Sequence, residues 1–192
     1  MRSAETYQQI AKIHCDAIDQ GFLPTLGPGV LALMYRAIDD CDTAVLFTEE
    51  VDGTVVGFVT GATGMGPIYR QMLRQFPRLL WALAPSLLNP AKVWRILEIL
   101  RRNRNSQTDI KVPDYELLSI AVSPNHQRGG TARRLYTQLC DHFRSVGAPG
   151  FCIVVGENLD AAHKFYRRLG ARQVAETAVH GSSRSLIYVH DL

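Results

Sequence analysis

The sequence predicts a mixed α/β fold in which helices cover both faces of one open sheet. Three observations carry this. The hydrophobic period changes from helical to alternating near residue 44, a β-hairpin signature follows at once, and two strand-then-helix units later run in succession before a closing hairpin. A sheet of this kind takes its ligand at the carboxyl ends of its strands.

Residues 3–20 read as an amphipathic helix, with Ile10, Ile13, His14, Ala17 and Ile18 on one stripe and Gly21 as its stop. Gly21 to Gly29 is a loop by its Gly/Pro content, and Val30 to Ile38 resumes a short helix that stops at Asp39-Asp40. Ala44–Thr48 and Thr54–Thr60 are β-branched and aromatic runs on either side of a turn at Asp52-Gly53. From Gly66 to about Asn105 the pattern is helical again, cut by Pro77, Pro85 and Pro90, and it reads as an insertion. Tyr115–Val122 is the next strand, closed by Ser123-Pro124-Asn125, and Gly129 to Val146 is a long helix ended by Gly147. Phe151–Val155 is almost wholly apolar, the pattern of a central strand buried on both faces. Asn158 or Asp160 caps a helix to Leu169, Gly170 stops it, and Gln173–His180 with Arg184–His190 form a final hairpin around Gly181-Ser182-Ser183.

A chain of 192 residues with 46% hydrophobic and 20% charged residues is expected to be one soluble domain over 1–192, neither disordered nor fibrous. Cys15, Cys41, Cys140 and Cys152 are scattered without a C-x-x-C pair, and the six histidines form no pair at metal-ligand spacing on any one helix. No metal is therefore expected. Glu5 and Gln8 stand where an apolar signal core would lie, so the expected compartment is a reducing cytoplasm. The longest uncharged run in the middle of the chain, Leu79–Ala91, holds two prolines and falls short of the roughly 20 apolar residues of a membrane span. The net charge of +3 hides an asymmetry, because the insertion at 66–111 carries nine basic residues against Glu98 and Asp109.

The most informative stretch runs from Leu117 to Ala132, a strand that breaks at Pro124 and enters a helix through Gln127-Arg128-Gly129-Gly130-Thr131-Ala132. Unpaired N–H groups at a helix start suit a pyrophosphate, and paired glycines let the backbone approach it. This pattern resembles the GNAT superfamily of N-acetyltransferases, whose acetyl-CoA loop reads Gln/Arg-x-x-Gly-x-Gly/Ala, and Gln127, Gly130 and Ala132 match it. Ala121-Val122-Ser123-Pro124 matches the Ala-Val-x-Pro strand end that precedes the loop, and Ala162, Tyr166 and Gly170 keep the spacing of a second family signature. Asn158 lies one residue earlier than that signature has its asparagine. Many members have glycine at the position of Arg128 and a basic residue at that of Gly129. The resemblance spans roughly residues 3–65 and 114–190. It implies a mixed central sheet of about six to seven strands, with the helical insertion between the third and fourth family strands.

The resemblance also implies site residues. The backbone N–H of Ile120 would meet the thioester carbonyl of acetyl-CoA, Val122 would pair with the pantetheine amides, and Ala121, the loop Gln127, Arg128, Gly129, Gly130, Thr131, Ala132 and the arm-binding Asn158 would complete the cofactor contacts. His126 beside the loop is the candidate for the 3′-phosphate or adenine. Tyr166 would be the general acid and Glu116, four residues before Ile120, the general base. Even offsets on a strand are expected to turn Glu116, Leu118 and Ile120 to one side. Cys152 is expected to be a buried thiol rather than a nucleophile.

The acceptor wall is expected at Phe22, Leu23 and Leu26, with Tyr35 beyond them, and its apolar character suits a small-molecule amine better than a polyamine. The insertion has three readings: extra core or a homodimer face, a lid for a phosphorylated acceptor such as a nucleotide-linked amino sugar, or peripheral membrane contact. Its aromatics do not interleave with its basic residues as nucleic-acid binding requires, so no nucleic acid is expected. The leading reading is an acetyl-CoA-dependent N-acetyltransferase. The alternatives are a non-catalytic acyl-CoA-binding scaffold and a membrane-associated acyltransferase for longer chains.

Overall fold

The computed structural model describes residues 2–18, 23–74, 112–180 and 183–192. Expectations for Gly21, Phe22, the Gly181-Ser182 turn and the insertion beyond Arg74 lie outside these residues. Helix α1 (Ala4–Ala17) starts where the Ser3 hydroxyl accepts the Thr6 N–H at 3.1 Å, and buries Tyr7, Ile10, Ala11, Ile13 and His14. A 3₁₀ turn at Leu23–Leu26 leads to α2 (Pro28–Asp39), whose proline is set for the first helical turn. The hairpin β1 (Ala44–Val51) and β2 (Thr54–Ala62) turns at Asp52 (φ 51°) and Gly53 (φ 74°), both left-handed as such a turn needs. Helix α3 (Gly66–Arg74) follows.

From residue 112 on come β3 (Glu116–Val122), α4 (Thr131–Ser145), β4 (Gly150–Gly156), α5 (Asp160–Arg168), β5 (Arg172–His180) and β6 (Ser183–Asp191). The six strands lie in the order β1-β2-β3-β4-β6-β5, antiparallel except for the parallel pair β3–β4. Helices α1, α2 and α3 pack on one face against Phe58, Ala62 and Ala121. On the other face, α4 and α5 pack against Val59, Leu117, Val122, Ile153 and Tyr188. The expected architecture of helices on both faces of a mixed sheet is the one observed.

Two glycines of β2 set how closely α4 approaches. A Cβ at Gly61 would stand 2.6 Å from Phe143 and 2.7 Å from Leu139, and one at Gly57 would stand 3.0 Å from the Thr131 methyl. Bare backbone at these positions seats α4 across β2, so the start of α4 lies close beside the end of β3.

Two local expectations are corrected. Neither Asn158 nor Asp160 caps α5: Leu159 holds the cap position with no side-chain hydrogen bond, and Asp160 is the first helical residue. The carbonyls before α5 are held by the His163 ring, whose Nε2 donates to Gly156 O (3.1 Å) and Glu157 O (3.2 Å). Its Nδ1 then accepts from the Tyr188 hydroxyl at 3.0 Å, because a carbonyl can only accept and so fixes the ring proton on Nε2. Strand β4, read as buried on both faces, leaves Val154 40% exposed.

Candidate active site

Strands β3 and β4 pair only at Glu116↔Cys152 and Leu117↔Ile153, and beyond these residues they part. Leu118 is the cause on β3. The register against β2 runs Ala62↔Glu116, Gly61↔Leu117, then Thr60↔Ser119, so Leu118 is an extra residue, a β-bulge. A bulge shifts the alternation of everything after it.

Backbone N–H and C=O groups of successive strand residues point to opposite edges. The Ser123 N–H donates to Val56 O at 2.8 Å and so faces β2. By alternation the N–H and C=O groups of Val122 and Ile120 face the gap where β4 has left. The Val122 carbonyl agrees, accepting the Gln127 side-chain amide at 3.4 Å instead of a β2 partner. On the other wall, the Cys152 N–H donates to Tyr115 O at 2.8 Å, so the peptide groups of Val154 also face the gap. Val154 carries no signal in the sequence that points to this role.

The gap runs into the start of α4. Residues 124–130 are exposed, the N-cap is Gly130 (φ 80°), and no side chain caps the helix. The first N–H groups of α4 therefore lack partners and carry the positive end of the helix dipole. Arg128 adopts φ 65°, a left-handed conformation that suits glycine, while Gly129 next to it does not. The glycine that many family loops hold at this point is displaced by one residue here.

The Arg134 guanidinium closes the outer side of this loop. Its Nε donates to Glu49 on β1 (2.8 Å), Nη1 to the Gly129 carbonyl (2.9 Å), and Nη2 to the Thr131 hydroxyl (3.0 Å) as well as to Glu49.

Glu116 and Ile120 do not share a side, contrary to expectation. Glu116 pairs with Ala62, whose side chain belongs to the α1–α2–α3 face, whereas Ile120 pairs with Val59 and packs on the α4–α5 face. The bulge at Leu118 is the reason. Burial raises the Glu116 carboxyl above the usual carboxylate range. Its charge acts on the two groups beside it: the Tyr69 phenol and the Cys152 thiol are pushed up first by burial and then by Glu116, the thiol to about 12. Cys152 is thus held as a thiol.

Tyr166 on α5 is 5% exposed and packs against Tyr136 and Tyr188. Burial raises its phenol, which keeps it protonated. Among the described residues its hydroxyl makes no hydrogen bond. Asn158 lies exposed in the turn after β4, and His126 is exposed in the 3₁₀ turn Pro124–His126.

The expected acceptor wall is only partly visible. Phe22 and the Leu23 side chain lie outside the described residues, and Leu26 is half-buried. Tyr35 is corrected from wall to core: it is fully buried, and its hydroxyl lies 2.5 Å from His14 Nδ1 and 3.4 Å from the Ser119 hydroxyl. Ser119 in turn bonds Thr60 at 2.8 Å. This buried chain of polar groups ties α1 and α2 to the residue after the bulge.

The sheet thus parts beside an uncapped helix start, an arrangement that suits an extended anionic ligand. Residues 15–171 match the model of the Acetyltransferase (GNAT) family, and the chain belongs to that family of acetyltransferases. Among solved structures, the fold is similar to an N-acetyltransferase from Staphylococcus aureus Mu50, at 16% identity over 99% of this chain and 94% of that one (TM-score 0.62). It is also similar to a putative GNAT-family acetyltransferase from Desulfovibrio desulfuricans, at 13% identity over 97% and 92% (TM-score 0.61). A putative streptothricin acetyltransferase from Bacillus anthracis, in complex with acetyl coenzyme A, matches at 12% identity over 82% and 68% (TM-score 0.52). No curated protein sequence matches the chain. Among the described residues no helix is long and apolar enough to cross a membrane.

Proposed function

We propose that this chain moves the acetyl group of acetyl-CoA to a primary amine of a small molecule, by direct attack in a ternary complex in the cytoplasm. One observation carries the reading: the peptide groups of Ile120 and Val122 turn into the gap between β3 and β4, in line with the unpaired N–H groups at the start of α4. An extended amide-bearing arm ending in a diphosphate matches that combination, since the strand edge pairs amides and the helix start holds an anion. A bound acetyl-CoA supplies an activated acyl group as its thioester.

The residues then divide the work. Backbone N–H groups of the Gln127–Ala132 loop hold the diphosphate, Ala121 and Val122 line the arm, Asn158 meets it from the β4 side, and the Ile120 N–H donates to the carbonyl oxygen as charge develops there. Glu116, with its raised basicity, takes the proton of the attacking amine through a water. The phenol of Tyr166, kept protonated by burial, donates to the leaving sulfur. Leu26, with Phe22 and Leu23, borders the acceptor.

Calorimetric titration of the full chain with acetyl-CoA tests the reading, alongside Gly130→Glu, whose side chain stands in the anion site. Binding by the wild type that the variant loses supports it, and an amine library then identifies the acceptor by turnover. A well-folded wild type that does not bind acetyl-CoA overturns it.

A further inference from the structure

We propose that Arg134 and Glu49 form a strut that orients the diphosphate-binding loop, with Arg134 as a positioning residue and not a phosphate ligand. The proposal rests on the acetyl-CoA reading above and deepens it.

The argument begins with one peptide unit. The Gly129–Gly130 bond is trans, as are all the described peptide bonds, so the Gly129 carbonyl and the Gly130 N–H point in opposite directions. Arg134 Nη1 holds that carbonyl at 2.9 Å. Helix α4 lies across β2, with β1 and Glu49 on one side and the β3–β4 gap on the other. Drawing the carbonyl toward Arg134 therefore turns the Gly130 N–H toward the gap, where an anion needs it.

The rest of the geometry fixes the guanidinium in that task. Glu49 takes Nε and Nη2, and Nη2 also reaches the Thr131 hydroxyl at 3.0 Å. The guanidinium thus spans a strand, a loop and the first helical residue, a set that only a planar multi-donor group can satisfy together. It also lies against Gly130, where a Cβ would come within 3.2 Å of Nη1. Glu49 sits at the register shift of β1, between Glu49 and Glu50. Its carboxylate cancels the charge of Arg134, so the loop presents neutral, directed N–H groups rather than a free cation that would itself bend toward the anion. Nε, Nη1 and Nη2 are all engaged by protein acceptors already, with no phosphate needed to hold them.

The test measures the affinity of the full chain for acetyl-CoA and for S-acetylpantetheine, which has the thioester arm without the nucleotide diphosphate. Glu49→Gln, Arg134→Gln and the double variant are compared. We expect each single change to weaken acetyl-CoA binding about 10-fold, with the double variant no worse than Arg134→Gln. Acetylpantetheine binding should stay within about 2-fold, because the strut acts only on the diphosphate end. Tighter acetyl-CoA binding by Glu49→Gln would show Arg134 released to the phosphates as a direct ligand, and would overturn the strut. Unchanged affinities in both single variants, or equal losses for the two ligands, would overturn it as well. A wild type that binds acetyl-CoA no better than acetylpantetheine removes the cofactor reading itself, and the strut falls with it.

Discussion

Glu116 and Ile120 stand four residues apart on β3 and face opposite sides of the sheet, because Leu118 bulges between them. The proposed base thus belongs to the α1–α2–α3 side, while the Ile120 peptide lies in the plane of the sheet facing the gap. In the proposed mechanism, an amine approaching from the Glu116 side would meet a carbonyl at the strand edge opposite the Ile120 N–H.

Glu116→Gln should lower turnover about 100-fold, the usual worth of a positioned base. The pH profile checks the assignment. Wild-type kcat/KM should rise as pH passes the raised Glu116 value, and this limb should vanish in the variant. Stability should move the other way. The folded carboxyl titrates above its unfolded value, so its contribution is intact at low pH and lost as pH rises through the folded value. The melting temperature of Glu116→Gln should therefore match or exceed that of the wild type at neutral pH, with the gap closing on acidification.

Tyr166→Phe keeps the ring against Tyr136 and Tyr188 and removes only the hydroxyl. Turnover should fall about 100-fold with acetyl-CoA affinity preserved, as steady-state kinetics and calorimetry on the same sample will read. Loss of affinity in step with turnover would sink the acid role.

Arg128→Gly should stabilise the fold by about 1 kcal/mol, since φ 65° strains a side-chain-bearing residue and suits glycine. In a domain of this size that is a rise of about 2–4 °C in Tm by calorimetry. A fall in Tm would mean that the Arg128 side chain contributes more than the strain removes.

His14 should make the fold sensitive to acid. Burial lowers its ring to about 4, so between the ordinary histidine range and that value the unfolded chain takes up a proton that the folded one refuses. Its contribution is complete above about 6.5 and is lost as pH falls toward about 4. Tyr35→Phe strips His14 Nδ1 of its partner, and chemical denaturation at pH 7 should show a loss of about 1–3 kcal/mol.

Gly61→Ala should cost about 1–3 kcal/mol, because the new methyl meets Phe143 and Leu139 at under 3 Å. The displaced α4 should also weaken acetyl-CoA binding, since its first turn moves with it. Urea denaturation and calorimetry together check both effects.

The elements were readable because each carried its own local signal. Asp52-Gly53 named its turn, and Gly147 and Gly170 marked helix ends with the left-handed φ values of 74° and 93°. The loop Gln127–Ala132 was readable for the same reason. The apolar stripe of α1 is buried at Ile10, Ile13 and His14, but Ala17 is exposed, Ile18 is the C-cap, and Tyr7 and Ala11 complete the buried face. The bulge at Leu118 left no trace, because an extra residue in a run such as Leu117-Leu118-Ser119-Ile120 changes no composition and shows only against a partner strand. The Arg134–Glu49 contact joins residues 85 apart in sequence, and no local pattern couples them. Tyr35 sits in the core and not on a pocket wall, and a tyrosine with buried hydroxyl partners has the same sequence signal as one lining a pocket. Val154 is exposed within an apolar run, and such a run reports hydrophobicity, not whether a neighbouring strand has turned away.

The two paired positions that join β3 to β4 divide the sheet into two three-stranded halves, β1-β2-β3 and β4-β6-β5. Under the proposed reading, an arm whose amides pair with Ile120 and Val122 on one wall and Val154 on the other would act as a seventh strand joining the halves. Cofactor binding would then become part of the mechanical continuity of the sheet.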